Sequence, residues 1–274
     1  MKEVAMNCSE MIKDIRSRLG LSQMELAEQL EVTFATVNRW ENGRSKPASA
    51  AMQKLEDLCR RCNLQIVGSN GEYLIKATKE DTAYFEREEE RISKKKALEL
   101  FDTGLVDTFE VGTFKGLAQI HGYLFGEIYD FAGKMRTVNI AKGNFRFAPV
   151  MYLEAALKNI EKMPQDTYDH IIEKYVEMNV AHPFREGNGR STRIWLDAIL
   201  KKELGQVIDW SKVDKEDYLL AMERSPVKDV EIKALLRAAL TDQINDREVY
   251  MKGIDASYRY EGYNVYKTGD LSDK

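Results

Sequence analysis

The sequence predicts a mainly α-helical protein built as two units, and three observations carry that expectation. Apolar residues recur at helical spacing in long runs, of which Tyr168 to Ala181 and Asp246 to Glu261 are the clearest. The first sixty residues hold two short capped helices separated by a tight turn. Alternating apolar and polar segments are brief and flank turn residues, which limits β-structure to small hairpins.

Taken in order, Ser22-Gln23-Met24-Glu25 is a capping box that opens a helix with Leu26, Ala27 and Leu30 turned inward. Thr33 caps the next helix, where Val37 and Trp40 face the core, so residues 1–66 read as a helix-turn-helix bundle. Leu64 to Val67 and Tyr73 to Lys76 flank Ser69-Asn70-Gly71 and predict a connecting hairpin. The charged run Lys79 to Lys96 reads as the solvated face of a linker helix, which makes residues 67–91 a connector. Helical patterns follow from Phe101 to Gly133. Thr137 to Ile140 and Phe145 to Phe147 then read as two short strands joined by a tight turn at Ala141-Lys142-Gly143-Asn144. In the last helix Gly262 stands where a helix stops, yet Glu261 occupies the final turn, where the macrodipole disfavours negative charge. Such local conflicts mark functional positions.

Composition narrows the function. The 274 residues, 43% of them hydrophobic, can bury one core in a larger unit and a smaller one in the N-terminal unit. A net charge of −4 gives no global preference for polyanions or membranes. Residues 1–66 carry ten Lys or Arg against nine Asp or Glu, so any DNA-binding face must concentrate its basic groups. No apolar stretch reaches the ~18 residues of a membrane span and no export signal is visible, which predicts a cytoplasmic protein. Cys8, Cys59 and Cys62 are an odd set; Cys59 and Cys62 have metal-like spacing without a second pair and read as reduced thiols.

The chemistry concentrates in His182-Pro183-Phe184-Arg185-Glu186-Gly187-Asn188-Gly189-Arg190-Ser191-Thr192-Arg193. Pro183 ends the preceding helix and leaves His182 at a junction, where an imidazole suits a general base near neutral pH. Gly187, Asn188 and Gly189 allow a turn with inward-pointing amides, and the helix starting near Arg190 adds the positive end of its dipole. Arg190 and Arg193, three apart, share a helix face from which both forks can reach successive phosphates. Glu186 lies between base and cradle, placed to share a magnesium ion with the phosphates. His121 and His170 read as structural.

Every fixed position of this segment meets the signature His-Pro-Phe-x-Asp/Glu-Gly-Asn-Gly-Arg-x-x-Arg of the Fic family, which the chain resembles from about Ile92 to Tyr263. The resemblance implies a helical Fic core over residues 92–240 and transfer of AMP from ATP to a Tyr, Thr or Ser hydroxyl of a target protein. It implies His182 as the base, Glu186 as the Mg2+ ligand, Asn188 with the Gly187 and Gly189 amides on the α-phosphate, and Arg190 and Arg193 on the outer phosphates. The lysine-bearing stretch of the Doc-type kinase branch is absent. The hairpin lies where the family carries its flap, implying that Ile140, Lys142, Gly143 and Phe145 dock an extended piece of the target by strand addition.

Ser257-x-x-x-Glu261-Gly262 resembles the family's inhibitory motif, placed in a C-terminal helix and tail over residues 241–274. A Glu261 carboxylate paired with Arg193 would take the place of the γ-phosphate. Tyr258 and Tyr263 crowd the same segment as candidates for automodification. Gln23, Leu26-Ala27 and Trp40-Glu41-Asn42-Gly43-Arg44 resemble the Cro/repressor family; this implies DNA binding, with Phe34, Ala35 and Arg39 at base edges and Gln23, Asn42 and Arg44 near phosphates. The two resemblances together suit a bacterial toxin-like regulator and a homo-oligomer, and make type II topoisomerase subunits a candidate target. Two other readings stand beside this one: a DNA-binding transcriptional regulator whose Fic core senses nucleotide, and transfer of a different nucleotide or a phosphocholine group.

Overall fold

A computed structural model describes residues 6–62, 64–69, 71–77, 79–142 and 145–271, and they form a mainly helical protein with small antiparallel hairpins. The chain divides into two compact units, Met1–Phe85 and Glu86–Lys274.

The first unit packs α1 (Cys8–Arg18), α2 (Gln23–Gln29), α3 (Phe34–Glu41) and α4 (Ser49–Arg61). The local sequence starts each of the first three helices. Asn7 and Ser22 close capping boxes with Glu10 and Glu25, and Thr33 accepts from the Thr36 amide. Leu26, Ala27, Leu30, Val37 and Trp40 bury as expected, against Met11, Ile12 and Ile15 of α1 and Leu55, Leu58 and Cys59 of α4. Strands β1 (Leu64–Ser69) and β2 (Glu72–Ala77) pair with Ser69 opposite Glu72. Their hairpin is not a free connector: Ile75 is buried in the core of this unit, and Tyr73 bridges to Met6.

The division of the units falls inside α5 (Lys79–Asp102), and here the charge pattern misled. Glu89, Glu90, Ser93 and Lys94 are at most 3% exposed, because ion pairs and hydrogen bonds inside the second unit offset the desolvation that a charged run normally avoids. That unit continues through α6 (Phe114–Phe125), the hairpin β3 (Ala141–Lys142) and β4 (Phe145–Arg146), α7 (Val150–Glu161), α8 (Tyr168–Ala181) and α9 (Asn188–Leu204). It closes with β5 (Val207–Ile208), α10 (Lys215–Arg224), α11 (Val230–Ala238), β6 (Leu240–Thr241), α12 (Arg247–Tyr260) and α13 (Thr268–Leu271). Helix α9 is the central element: Trp195, Leu196, Ile199 and Leu200 are at most 1% exposed, and α6, α8 and α12 pack around it. Ile254, Ala256, Tyr258 and Tyr260 of α12 belong to the same apolar core. Among the described residues no helix is long and apolar enough to cross a membrane.

Candidate active site

Helix α8 stops at His182, a C-cap in the left-handed region (φ 47°, ψ 65°) and one of two non-glycine residues with positive φ among those described. The chain then reverses through Pro183–Gly187 into α9, whose N-cap Gly187 has φ 76° and would drive a Cβ to 2.5 Å from the Phe125 ring. Asn188 holds this loop shut, because its Oδ1 accepts from the Phe184 amide and its Nδ2 donates to the Phe184 carbonyl, both at 2.8 Å. With both polar ends of its side chain so engaged, Asn188 shapes the loop, a role that the spacing alone did not suggest.

His121 supports the loop from below. Its Nδ1 accepts from the Gly133 amide at 2.9 Å, which leaves Nε2–H to donate to the Glu186 carbonyl at 2.8 Å, while its ring stacks on Phe184. Burial pushes the His121 pKa down to about 4, so the imidazole is a neutral, fixed donor. It is structural, as the sequence suggested, but it supports the very residue expected to face the metal. His170 pairs with Asp166 on the surface, away from this loop.

The His182 ring stacks on Phe147 at 3.6 Å between centroids, and Nδ1 lies 3.2 Å from the Asn179 carbonyl. A carbonyl can only accept, so that contact calls for the proton on Nδ1, and in the neutral ring this leaves the lone pair to Nε2, as a general base requires. Phe147 follows the short β3–β4 hairpin, in which Ala141 faces Arg146 and Lys142 faces Phe145. The first strand is displaced from its expected place at Thr137 to Ile140. The Val138 carbonyl accepts from the buried Arg136 instead of a strand partner, and the Asn139 side chain caps Val150. Ile140 and Phe145 are half-buried beside the hairpin; Gly143 lies outside the described residues.

Both motif arginines are held by carboxylates. Arg193 donates from Nε to Ser257 Oγ (2.7 Å) and from Nη2 to the Ser257 carbonyl (2.9 Å) and Glu261 Oε1 (3.0 Å). Glu261 Oε1 lies over the first turn of α9, where a Cβ on Gly189 would meet it at 2.2 Å. A carboxylate therefore already occupies the positive helix end that would draw a phosphate. Arg190 pairs through Nη2 with Glu89 at 2.7 Å and Glu186 at 3.3 Å, and its guanidinium lies over the rings of Phe125, Tyr258 and Tyr263. Burial disfavours its charge, but Glu89 and its other neighbours more than offset this and hold its pKa above the ordinary value. Glu186, with a half-exposed side chain, also accepts from the Gly187 amide at 2.9 Å.

Tyr258 is 1% exposed, its hydroxyl close to Ser93 and Arg190 but without an aligned hydrogen bond, and the Tyr263 hydroxyl donates to Glu89 at 2.8 Å. As packed, neither phenol is presented as an acceptor. Sequence reasoning missed Glu89, Arg136 and Phe147. Glu89 was concealed in an acidic run, and Arg136 and Phe147 act through loop contacts that leave no periodic signal.

In the N-terminal unit Phe34, Ala35, Arg39, Asn42 and Arg44 are exposed. Gln23 donates to the buried Glu41 at 2.7 Å and accepts from Asn38 at 3.2 Å. A buried carboxylate demands donors, and Gln23 joins Arg16 (2.5 Å) in supplying them. Asn42 donates to the Asn38 carbonyl at 2.8 Å.

The sequence profile of the Fic/DOC family matches residues 113–200, and a helix-turn-helix profile matches residues 12–66. Protein adenylyltransferase VbhT of Bartonella schoenbuchensis is 30% identical over 210 residues, covering 68% of this chain and 43% of that protein, so the chain spans less than half its length. A probable protein adenylyltransferase Fic of Salmonella typhimurium is 28% identical over 138 residues, 46% of this chain and 68% of that one. Among solved structures, BepC of Bartonella tribocorum with bound AMPPNP overlaps at 18% identity and a TM-score of 0.48, over 59% of this chain and 88% of that one. Residues 113–200 are a domain of the Fic/DOC family, and the chain joins it to an N-terminal helix-turn-helix domain.

Proposed function

We propose that the protein moves AMP from ATP to a Tyr, Thr or Ser hydroxyl of a target protein and that α12 holds it at rest. The observation that carries this is the convergence of His182, in the tautomer of a base, with a glycine-opened helix N-terminus whose Arg193 is held by Ser257 and Glu261. In the reaction His182 Nε2 takes the proton of the target hydroxyl, whose oxygen attacks the α-phosphorus in line. The bond to the bridging oxygen breaks and pyrophosphate leaves, so positioning and electrostatics supply most of the rate. Arg193, once released by Glu261, and the α9 amides bind the phosphates. Glu186 fits a magnesium ion: it is the half-exposed carboxylate of the loop, beside the α9 N-terminus that would draw the phosphates. Such an ion would take its remaining ligands from phosphates and water and neutralise charge on the leaving pyrophosphate. The hairpin registers the acceptor segment by strand addition. The N-terminal domain binds DNA through α3, on which Phe34, Ala35 and Arg39 stand exposed.

The test is incubation of parent, Glu261→Gly and His182→Ala proteins with ATP labelled at the α-phosphate, with cell lysate and with type II topoisomerase subunits. Label should rise in Glu261→Gly, vanish in His182→Ala, and add the mass of AMP. No label in any lane would overturn the reading in favour of a nucleotide-sensing regulator. A mass other than AMP would change the cargo.

A further inference from the structure

Arg136 is 1% exposed, and carbonyl oxygens surround its guanidinium. Nε donates to His182 O at 2.7 Å, Nη1 to Val138 O at 2.8 Å, and Nη2 to Ala148 O at 2.5 Å and Ala181 O at 3.1 Å. Its own amide donates to Pro183 O at 2.8 Å. A buried cation is costly without compensation. Here the partial negative end of α8, to which Ala181 and His182 belong, supplies part of it. Burial lowers the Arg136 pKa, yet a guanidinium remains charged in proteins.

The identity of these carbonyls gives the arrangement its meaning. Val138 precedes β3 and Ala148 follows β4, so they are the two legs of the hairpin. Ala181 and His182 are the backbone that carries the base, and His182 sits in a left-handed conformation that a side-chain-bearing residue rarely adopts. The Ala148 amide, donating to Val180 O at 3.0 Å, adds one more tie between the same two pieces. One fork thus spans hairpin and base, with no direct contact to Glu186, Arg190 or Arg193 among its hydrogen bonds.

Building on the function proposed above, we propose that Arg136 is a positioning residue that fixes the acceptor-docking hairpin and the His182 backbone in one geometry. The acceptor hydroxyl then arrives at Nε2 because hairpin and imidazole backbone share this anchor. Lysine cannot replace it fully: a point charge with three donors on a flexible stem does not reproduce a planar fork that holds four carbonyls.

The test places Arg136→Lys and Arg136→Met in the Glu261→Gly background. Three quantities are measured: affinity for a non-hydrolysable ATP analogue by calorimetry, AMP transfer to a protein acceptor, and hydrogen exchange of residues 137–142 and 145–149. Nucleotide affinity should stay within about threefold, because Arg136 stands apart from the α9 cradle. The transfer kcat should fall on the order of a hundredfold in Arg136→Met and about tenfold in Arg136→Lys, a misplacement-sized loss. Exchange in both hairpin legs should quicken in each variant. Nucleotide affinity falling in step with kcat would reduce Arg136 to a general structural role and overturn the proposal, as would unchanged kcat or unchanged exchange. If Arg136→Met does not fold, Arg136→Lys decides alone. If Glu261→Gly transfers no AMP, the enzymatic reading fails by itself, and the exchange data still decide whether Arg136 ties hairpin to base.

Discussion

Glu90→Gln probes how the resting state is held. Glu90 is 1% exposed, accepts from the amides of Val265 (3.0 Å) and Tyr266 (3.2 Å), and pairs with Lys94 at 3.0 Å. Lys94 in turn reaches Asp255 of α12 at 3.1 Å and the Tyr266 carbonyl at 2.5 Å. Helix α5 therefore grips the chain on both sides of Glu261. Glutamine keeps the shape but removes the charge. Glutamine offers one acceptor oxygen where the carboxylate offers two, so one amide keeps a neutral bond of ~1 kcal/mol in place of a charged one of ~1.5–3 and the other loses its acceptor, about 3 kcal/mol together. Lys94 retains Asp255, which keeps its share well short of the ~3–5 kcal/mol of an orphaned buried charge. A total of about 3–4 kcal/mol corresponds to roughly 150- to 1000-fold in the docking equilibrium of residues 263–268. The assay is hydrogen exchange of peptides spanning 257–268, read beside AMP incorporation and a thermal melt. Exchange should quicken within that range and incorporation should rise at least tenfold. A folded variant with unchanged exchange would refute the latch; faster exchange with unchanged incorporation would refute its link to inhibition.

Two further predictions concern the two units separately. The neutral His121, with its pKa pushed down to about 4 by burial, binds no proton over the window in which an unfolded histidine does, so its contribution is full above pH ~6.5 and is lost as pH falls toward 4. That is a pH-dependent loss of roughly 3 kcal/mol. Asp197, pushed up to about 7 by burial, tilts stability the other way over an overlapping range, so the measurement is the difference between parent and His121→Gln in denaturant midpoints from pH 4 to 8. A difference that does not change with pH would refute the assignment. In the N-terminal unit, Arg39→Ala should weaken a salt-dependent DNA mobility shift by about 1–3 kcal/mol if Arg39 reads a base. No shift of the parent at low salt in any sequence pool would remove DNA binding altogether.

The sequence made legible what depends on local chemistry. The caps at Ser22 and Thr33 and the break at Pro183 follow from short-range rules, and the helices they bound lie within a residue or two of expectation. The misplaced charge marked Glu261 as unusual, but its contact with Arg193 followed from the resemblance of Ser257-x-x-x-Glu261-Gly262 to the Fic inhibitory motif. What stayed hidden depends on tertiary desolvation. Glu89 and Glu90 look solvated in an acidic run, and nothing within the run says that Arg190 and Lys94 will pair with them. Nothing beside Gln23 in the sequence says that it will donate to a buried Glu41. Nor does the alternation at Thr137 to Ile140 say that the Val138 carbonyl will go to Arg136 and the Asn139 side chain to Val150.

On the autoinhibited reading proposed above, release of the site would have to be local, and the packing of α12 says where. Ile254, Ala256, Tyr258 and Tyr260 bury in the main core, so withdrawing the whole helix would expose several apolar side chains at about 1.5–3 kcal/mol each and would amount to partial unfolding. Glu261 is different. It follows the last helical residue, is partly exposed, and is succeeded by Gly262, whose φ of 96° and open surroundings let the backbone turn without collision. On the autoinhibited reading, moving that final turn would free Arg193 for a γ-phosphate while Ser257 continues to orient the guanidinium. The tail beyond Gly262 resists this motion because Glu90 and Lys94 hold residues 265 and 266. The inhibitory contact and its latch thus lie on opposite sides of one glycine. On that reading, a signal that activates would need only to loosen α5's hold on the tail and would leave the core intact.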